Sequence, residues 1–412
     1  MGILWLPRQV LYDHERQEHF LPANALLPAH SGMLITRRLQ EWACLLGGDF
    51  AFPVAQRLLG WKAEEEKLLC PKEVQRLVCR HGQILLGAAI QEVQELLARP
   101  DGIGGAPQLA PTRAPRRPAA WAGVLEEAVA AALAQERATP PEGVTLADWE
   151  RVLAVRRAEG GPQDVRALAR LGPEVGDEQI VVSADEVLVR RPEKKKFDEL
   201  RTGYVAMRGG HRYLCGQGSL FLQQLWLLIL LCGGERAPVT FLSDGGRWLR
   251  EFAREQLSRL PCCEVILDWY HLLKKVKDRI SRMGGSKAEK KALQKALVRA
   301  LWNGQVTAAL AILEAYRPTA KNLAALEELV GYLQDREKAL PNYRERRAQR
   351  QYIGSGQAEK TNDLLVARRQ KNRGMHWNID TSEALAWLKA LQLNHEWDAY
   401  WSEGVLPSLV AG

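Results

Sequence analysis

The sequence predicts a mixed α/β domain, its sheet flanked by helices and interrupted by an all-α insertion, with an all-α domain ahead of it. Three observations predict it. Short apolar runs at Ile180–Ala184, Val239–Ser243 and Glu264–Leu267 each end in an aspartate. Helical and strand-like segments alternate between these runs. A long, highly charged stretch of helical periodicity, about 274–350, then separates the last strand from a Gly-Ser-Gly segment.

The N-terminal 1–97 reads as helical. From Leu34 the residues Leu39, Trp42, Leu45 and Leu46 form an apolar stripe at helical spacing. Two shorter helices follow, Phe52–Leu59 and Pro71–His81, with proline suited to the first turn of the second. That second helix would bury Val74, Leu77 and Val78 and expose Lys72, Arg76 and Arg80. The pair is helix-turn-helix-like, so those three cations are candidate DNA contacts, although a plain helical bundle carries the same pattern. Residues 98–177 are rich in Ala, Pro, Gly and Arg and read as a linker with helical pieces near Trp121–Ala134 and Asp148–Leu171.

From 178 to 412 the pattern is that of one catalytic domain. Strand Ile180–Ala184 ends in Asp185 and is followed by a basic tip, Arg190 to Lys196, in which Lys194, Lys195 and Lys196 could touch phosphates. Gly203–Met207 and Arg212–Cys215 read as two more strands. Leu220–Cys232 is an apolar helix stopped by Gly233-Gly234. At 13 residues it falls short of the roughly 20 that span a bilayer, so it is assigned to a core. Strand Val239–Ser243 ends in Asp244, a helix runs from about Arg247 to Leu257, and Glu264–Leu267 ends in Asp268. Three strands, a helix, a strand, a helix and a strand is the order of an RNase H-like sheet.

Composition narrows the function. The 412 residues carry 57 Lys+Arg against 49 Asp+Glu, a net charge of +8, which favours a polyanionic partner. Seven scattered cysteines without a CxxC pair argue against a zinc finger or a disulfide framework and fit a reducing cytoplasm. The opening Met1–Arg8 lacks the basic flank and apolar core of a secretory signal.

The chemistry rests on acids. An aspartate just past a strand is often only a turn former or a helix cap. Asp185, Asp244 and Asp268 at one sheet edge would instead repel one another, and divalent cations with a taste for hard oxygen ligands would relieve that repulsion. A fourth acid, Glu359, lies early in a helix entered by Gly354-Ser-Gly, with Ser355 or Gly356 as the cap. Downstream, Arg368, Arg369, Lys371 and Arg373 precede Trp377, a combination of cations and a ring that suits a phosphate backbone and a stacked base.

Four segments together resemble bacterial insertion-sequence transposases of the DDE class, in the branch similar to the Mutator-like group. They are the strand ending in Asp185, Leu242-Ser-Asp-Gly-Gly-Arg-Trp-Leu249, Asp268-Trp-Tyr-His271, and Gly354-Ser-Gly-Gln-Ala-Glu359 with Arg369, Lys371 and Gly374-Met-His-Trp377. The chain departs from the family pattern with Glu186 after the first acid and Lys360 after the last. The resemblance implies an RNase H-like core in which Asp185, Asp244 and Glu359 hold two Mg²⁺ (or Mn²⁺) and catalyse DNA cleavage and strand transfer. Asp268 and His271 would organise the site. It further implies double-stranded DNA as partner, both element ends and target, a homodimer or higher oligomer, and a cytoplasmic, nucleoid-associated bacterial protein without a membrane anchor. A non-catalytic domesticated DNA-binding protein and an RNase H-like structure-specific nuclease are the alternatives.

Overall fold

A computed structural model of the chain describes residues 33–63, 68–99, 179–193, 196–207, 210–371 and 375–409, together with short strands at Leu11–Asp13, Glu18–Phe20 and Ala29–His30. The expected linker helices near 121–134 and 148–171, with Lys194, Lys195 and Arg373, lie outside the described residues. The described chain forms two compact units, and the division falls at Ala88/Ala89 and again at Ala367/Arg368.

The first unit contains α1 (Arg37–Asp49), α2 (Phe52–Ala63) and the greater part of α3 (Pro71–Leu97). Thr36 caps α1 by accepting the Leu39 N–H. The short helix expected at Pro71–His81 is instead the start of a 27-residue helix. Beyond His81, Leu85, Ala89, Val93 and Leu96 keep the helical apolar period, so nothing stops the helix. Gly82 is not a stop signal. A Cβ there would lie 2.3 Å from the backbone of Ala384, so glycine permits a close crossing. His81, which would end a recognition helix, is buried, with Nδ1 2.7 Å from the Tyr400 hydroxyl and Nε2 2.9 Å from Gln40.

The second unit is built on a five-stranded mixed sheet of β1 (Ile180–Arg190), β2 (Phe197–Met207), β3 (Gly210–Gly216), β4 (Val239–Ser243) and β5 (Cys263–Leu267). The strand order is β3-β2-β1-β4-β5. β1, β2 and β3 are antiparallel neighbours, while β4 and β5 run parallel to β1. Ile180–Ala184 and the whole of β4 are buried, as expected of central strands covered on both faces. One face, with Ile180, Val182 and Phe241, packs against α4 (Gly218–Leu231) and α5 (Arg247–Glu255) through Phe221, Leu225, Leu228 and Phe252. No described helix is long and apolar enough to cross a membrane.

The opposite face, with Val181, Leu242 and Ile266, is continuous with the core of the helical insertion. The insertion runs through α6 (Trp269–Arg282), α7 (Lys287–Trp302), α8 (Val306–Tyr316), α9 (Leu323–Gln334) and α10 (Tyr343–Ala348). It begins immediately after Asp268, five residues ahead of the expected Lys274. Leu272, Val276, Leu297, Leu326 and Leu329 fill its centre, and the buried Tyr343 hydroxyl donates to Leu267 O at 2.8 Å. That bond ties the end of the insertion to the last residue of β5. The chain then returns as α11 (Gly356–Asn362), which packs on β1 and β2 and continues as a π-turn over Asp363–Ala367.

The C-terminal segment closes the first unit with α12 (Ile379–Leu393). It was expected to belong with the sheet, in 178–412. Its tryptophans explain the grouping: Trp377, Trp387, Trp397 and Trp401 are buried, and so is Trp42 of α1. Trp397 Nε1 donates to Glu41, Arg37 Nε donates to Trp401 O at 2.7 Å, and Lys389 pairs with Asp49 at 2.6 Å. These large rings join aliphatic residues such as Leu45, Leu58, Leu77 and Leu388 in the core of this unit.

Candidate active site

Parallel register brings the strand-end acids together. Ser183 lies opposite Leu242, and Leu242 opposite Ile266. Carrying the same register two residues on sets Asp185, Asp244 and Asp268 side by side at one level of β1, β4 and β5, facing one side of the sheet. Asp244 and Asp268 directly follow β4 and β5, while Asp185 lies within β1, where its fully buried run Ile180–Ala184 gives out.

Asp185 is half-buried. Its Oδ1 accepts the Glu186 N–H at 2.7 Å and its Oδ2 accepts from Asn362 Nδ2 at 2.6 Å. Burial, helped by the neighbouring Asp244 and opposed by the Glu186 N–H, pushes its carboxyl up to about 6. Asp244 Oδ1 accepts the Gly246 N–H at 2.7 Å, closing a turn into α5. Gly245 in that turn has φ +83°, and a Cβ on it would lie 2.8 Å from Leu267 Cδ1. The Asp-Gly-Gly sequence is therefore demanded by the turn that presents Asp244. From the insertion, Arg336 donates to Gly245 O at 3.3 Å.

Asp268 has a different environment. It is only 3% exposed, and its carboxylate accepts three hydrogen bonds. Oδ1 accepts the His271 N–H at 2.7 Å, capping α6, and lies 3.1 Å from His271 Nδ1. Oδ2 accepts from the Ser355 N–H and from the Ser355 hydroxyl, the latter at 3.1 Å. Burial works against its ionisation, but the hydrogen bonds from His271 and Ser355 outweigh burial and hold the carboxyl below its ordinary value. Trp269 N–H donates to Ile353 O at 3.0 Å, and a Cβ on Gly354 would approach Asp268 Oδ2 to 2.7 Å. The Asp-x-x-His and Gly-Ser-Gly segments thus form one latch across 87 residues. Ser355 stands at the N-cap of α11, yet its hydroxyl serves Asp268 and not the helix.

Glu359 lies in the first turn of α11 and is exposed. It is close enough to His271 for its charge, with those of Asp268 and Asp244, to favour the imidazolium; the Asp268 hydrogen bond is the largest cause of that upward shift. His271 thus stands among acids that favour its protonated form. Tyr270, 66% exposed, holds its ring in solvent beside it.

The remaining predicted residues separate. Lys72 and Arg76 are exposed in the first unit, where Arg76 pairs with Glu73, and Arg80 is half-buried. Lys196, Arg368 and Lys371 are exposed. Arg369 and Trp377 are not available to DNA as expected. Arg369 is 6% exposed, donates to Gly47 O at 3.1 Å, and stacks its guanidinium 4.7 Å from the Trp377 ring and 5.2 Å from Phe52. Trp377 is 7% exposed and donates its indole N–H to Gln370 O at 2.9 Å. A guanidinium over an aromatic face is more stable desolvated, and here that pair is core. Sequence reasoning missed Asn362, and it read Ser355 only as the helix cap and not as a partner of Asp268. Asn362 follows Glu359 by three residues, a spacing that shares a helix face, and this was the available signal.

Among the described residues no group of three His, Cys, Asp or Glu side chains is drawn close enough to hold a metal ion. The donor chemistry fits a hard divalent cation at Asp185 and Asp244: two neighbouring carboxylates, one of them destabilised in its charged form by burial and by the other. It does not fit Asp268, whose oxygens are taken. Compared with models of protein families and with curated proteins, the chain matches none.

Proposed function

We propose that the chain is a DDE transposase with an RNase H-like core, in which Asp185, Asp244 and Glu359 are the working acids. One observation carries the reading. The sheet order β3-β2-β1-β4-β5, antiparallel on one side and parallel on the other, brings Asp185 of β1 beside Asp244 at the end of β4, with the Glu359 helix packed on β1 and β2. Ligands gather at the C-terminal ends of parallel strands, where this edge lies.

Asp185, Asp244 and Glu359 would hold Mg²⁺ or Mn²⁺, two per site. A metal held there would supply activation of water or a DNA 3′-hydroxyl and stabilisation of the leaving oxygen of an in-line displacement. The protein's own part is arrangement. Gly245 and Gly246 fix the turn that presents Asp244. Asp268 holds Ser355, and through it the entry to the Glu359 helix. Where it is protonated, His271 would offset the mutual repulsion of the acids until a metal cation does so. Tyr270 offers an exposed ring to an unstacked base, and Lys196, Arg368 and Lys371 offer charges to the phosphate backbone.

The test is cleavage and strand transfer on labelled DNA carrying the flanking ends of the native locus, with Mg²⁺ or Mn²⁺, comparing wild type with Glu359→Gln. Metal-dependent products lost in the variant are expected. End binding without cleavage would favour a domesticated DNA-binding protein, and cleavage confined to branched substrates would favour a structure-specific nuclease.

A further inference from the structure

We infer that Asn362 is the positioning residue for Asp185, and that Thr202 acts through it. This inference rests on the reading of Asp185 as a metal-binding acid. The Asn362 amide lies between two strands. Its Nδ2 donates to Asp185 Oδ2 at 2.6 Å, and its Oδ1 accepts from the Thr202 hydroxyl. Thr202 is the β2 residue directly opposite Asp185 on β1, and it is fully buried. A hydroxyl that donates to the amide oxygen fixes which end of the amide is which, and so keeps an N–H aimed at the acid. Flipped, the same amide would present an oxygen to Asp185 and repel it.

Asp185 needs this support. It sits just past the levels that β1 shares with β4: the last pair is Ser183 with Leu242, β4 ends at Ser243, and from Asp185 on β1 is paired only with β2. Burial and Asp244 both disfavour its charged form. With Oδ1 turned to the Glu186 N–H and Oδ2 to Asn362, the carboxylate plane is set by one backbone and one side-chain donor. Each oxygen keeps a second lone pair for a cation. Asn362 also stands one turn beyond Glu359 on α11. The same helix therefore presents the third acid and orients the first, although 177 residues separate Asn362 from Asp185.

Partners in the second shell of a metal site typically change metal affinity about 10- to 100-fold when removed. The experiment is Mn²⁺ binding by the full-length protein without DNA, measured by electron paramagnetic resonance, for wild type, Asp185→Asn, Asn362→Ala, Thr202→Val and the double variant Thr202→Val/Asn362→Ala. Melting temperature is recorded for each. Asn362→Ala is expected to weaken Mn²⁺ by about tenfold or more, with a melting temperature close to wild type. Thr202→Val is expected to weaken it less, and to add nothing in the Asn362→Ala background, because residues acting through one partner are not additive. Wild-type affinity in Asn362→Ala, or full additivity of the pair, would overturn the inference. Wild-type protein whose Mn²⁺ binding is absent, or unchanged by Asp185→Asn, would instead overturn the reading of Asp185 on which the inference rests. A steady-state comparison on DNA ends gives a second readout: Asn362→Ala lowers kcat and leaves KM for DNA unchanged if it places an acid and does not touch the nucleic acid.

Discussion

The acid edge of the sheet and the basic, tryptophan-containing segment from Arg368 to Trp377 carry equally suggestive sequences, and folding treats them differently. At the sheet edge, backbone register decides where side chains go. Asp185, Asp244 and Asp268 each follow a buried run, and three parallel strands in register place them at one level whatever their side chains prefer. In the basic segment, tertiary packing decides. Arg368 and Lys371 face solvent, while Arg369 and Trp377 between and beyond them become core. Strand register thus brings side chains to one level whatever they are, whereas a cation beside an aromatic ring in the sequence can be drawn into the core.

The edge itself repeats the lesson on a smaller scale. Asp268 is the equal of Asp185 and Asp244 in sequence context and in level, yet His271 and Ser355 take both its oxygens. Its partners are contributed by the next helix turn and by a loop 87 residues away.

The comparison can be sharpened by substitution, beginning with the largest expected effect. Trp377→Ala should destabilise the first unit by about 3–5 kcal/mol, the usual cost of truncating a buried tryptophan, measured by denaturant unfolding. A DNA-contact role alone would leave stability unchanged. Asp268→Asn keeps the shape but replaces an acceptor by donors facing the Ser355 and His271 N–H groups. The expected cost is about 1–3 kcal/mol, from leaving buried donors unsatisfied. If Asp268 were chiefly a metal ligand, the same change would relieve repulsion among the acids and raise metal-free stability. Lys371→Gln should change stability by less than about 0.5 kcal/mol, while reducing the salt slope of DNA binding by about one. An unchanged slope would remove Lys371 from the nucleic-acid surface.

Much of the second unit was legible because its signals are local. The apolar runs at 180–184, 239–243 and 264–267 are strands, the glycines after Cys232 end an apolar helix, and the charged stretch beyond Asp268 is helical. The hairpin was read too short. β1 runs on to Arg190 because Val187 and Val189 are buried in alternation with the exposed Glu186, Leu188 and Arg190, a period of two that the charges obscure. What the sequence hid was long-range. The helix expected to end at His81 runs on as the 27-residue α3, and Gly82 within it is a crossing point with Ala384. The Thr202–Asn362–Asp185 and Asp268–Ser355 contacts join segments that only the finished fold brings together.

The most direct test of the account is Asp185→Asn on labelled element ends, with cleavage, DNA affinity and melting temperature measured on the same preparation. The account predicts that metal-dependent cleavage disappears while DNA affinity and melting temperature hold or rise, because the change removes a charge that burial and Asp244 already disfavour. Cleavage at the wild-type rate in Asp185→Asn would contradict it.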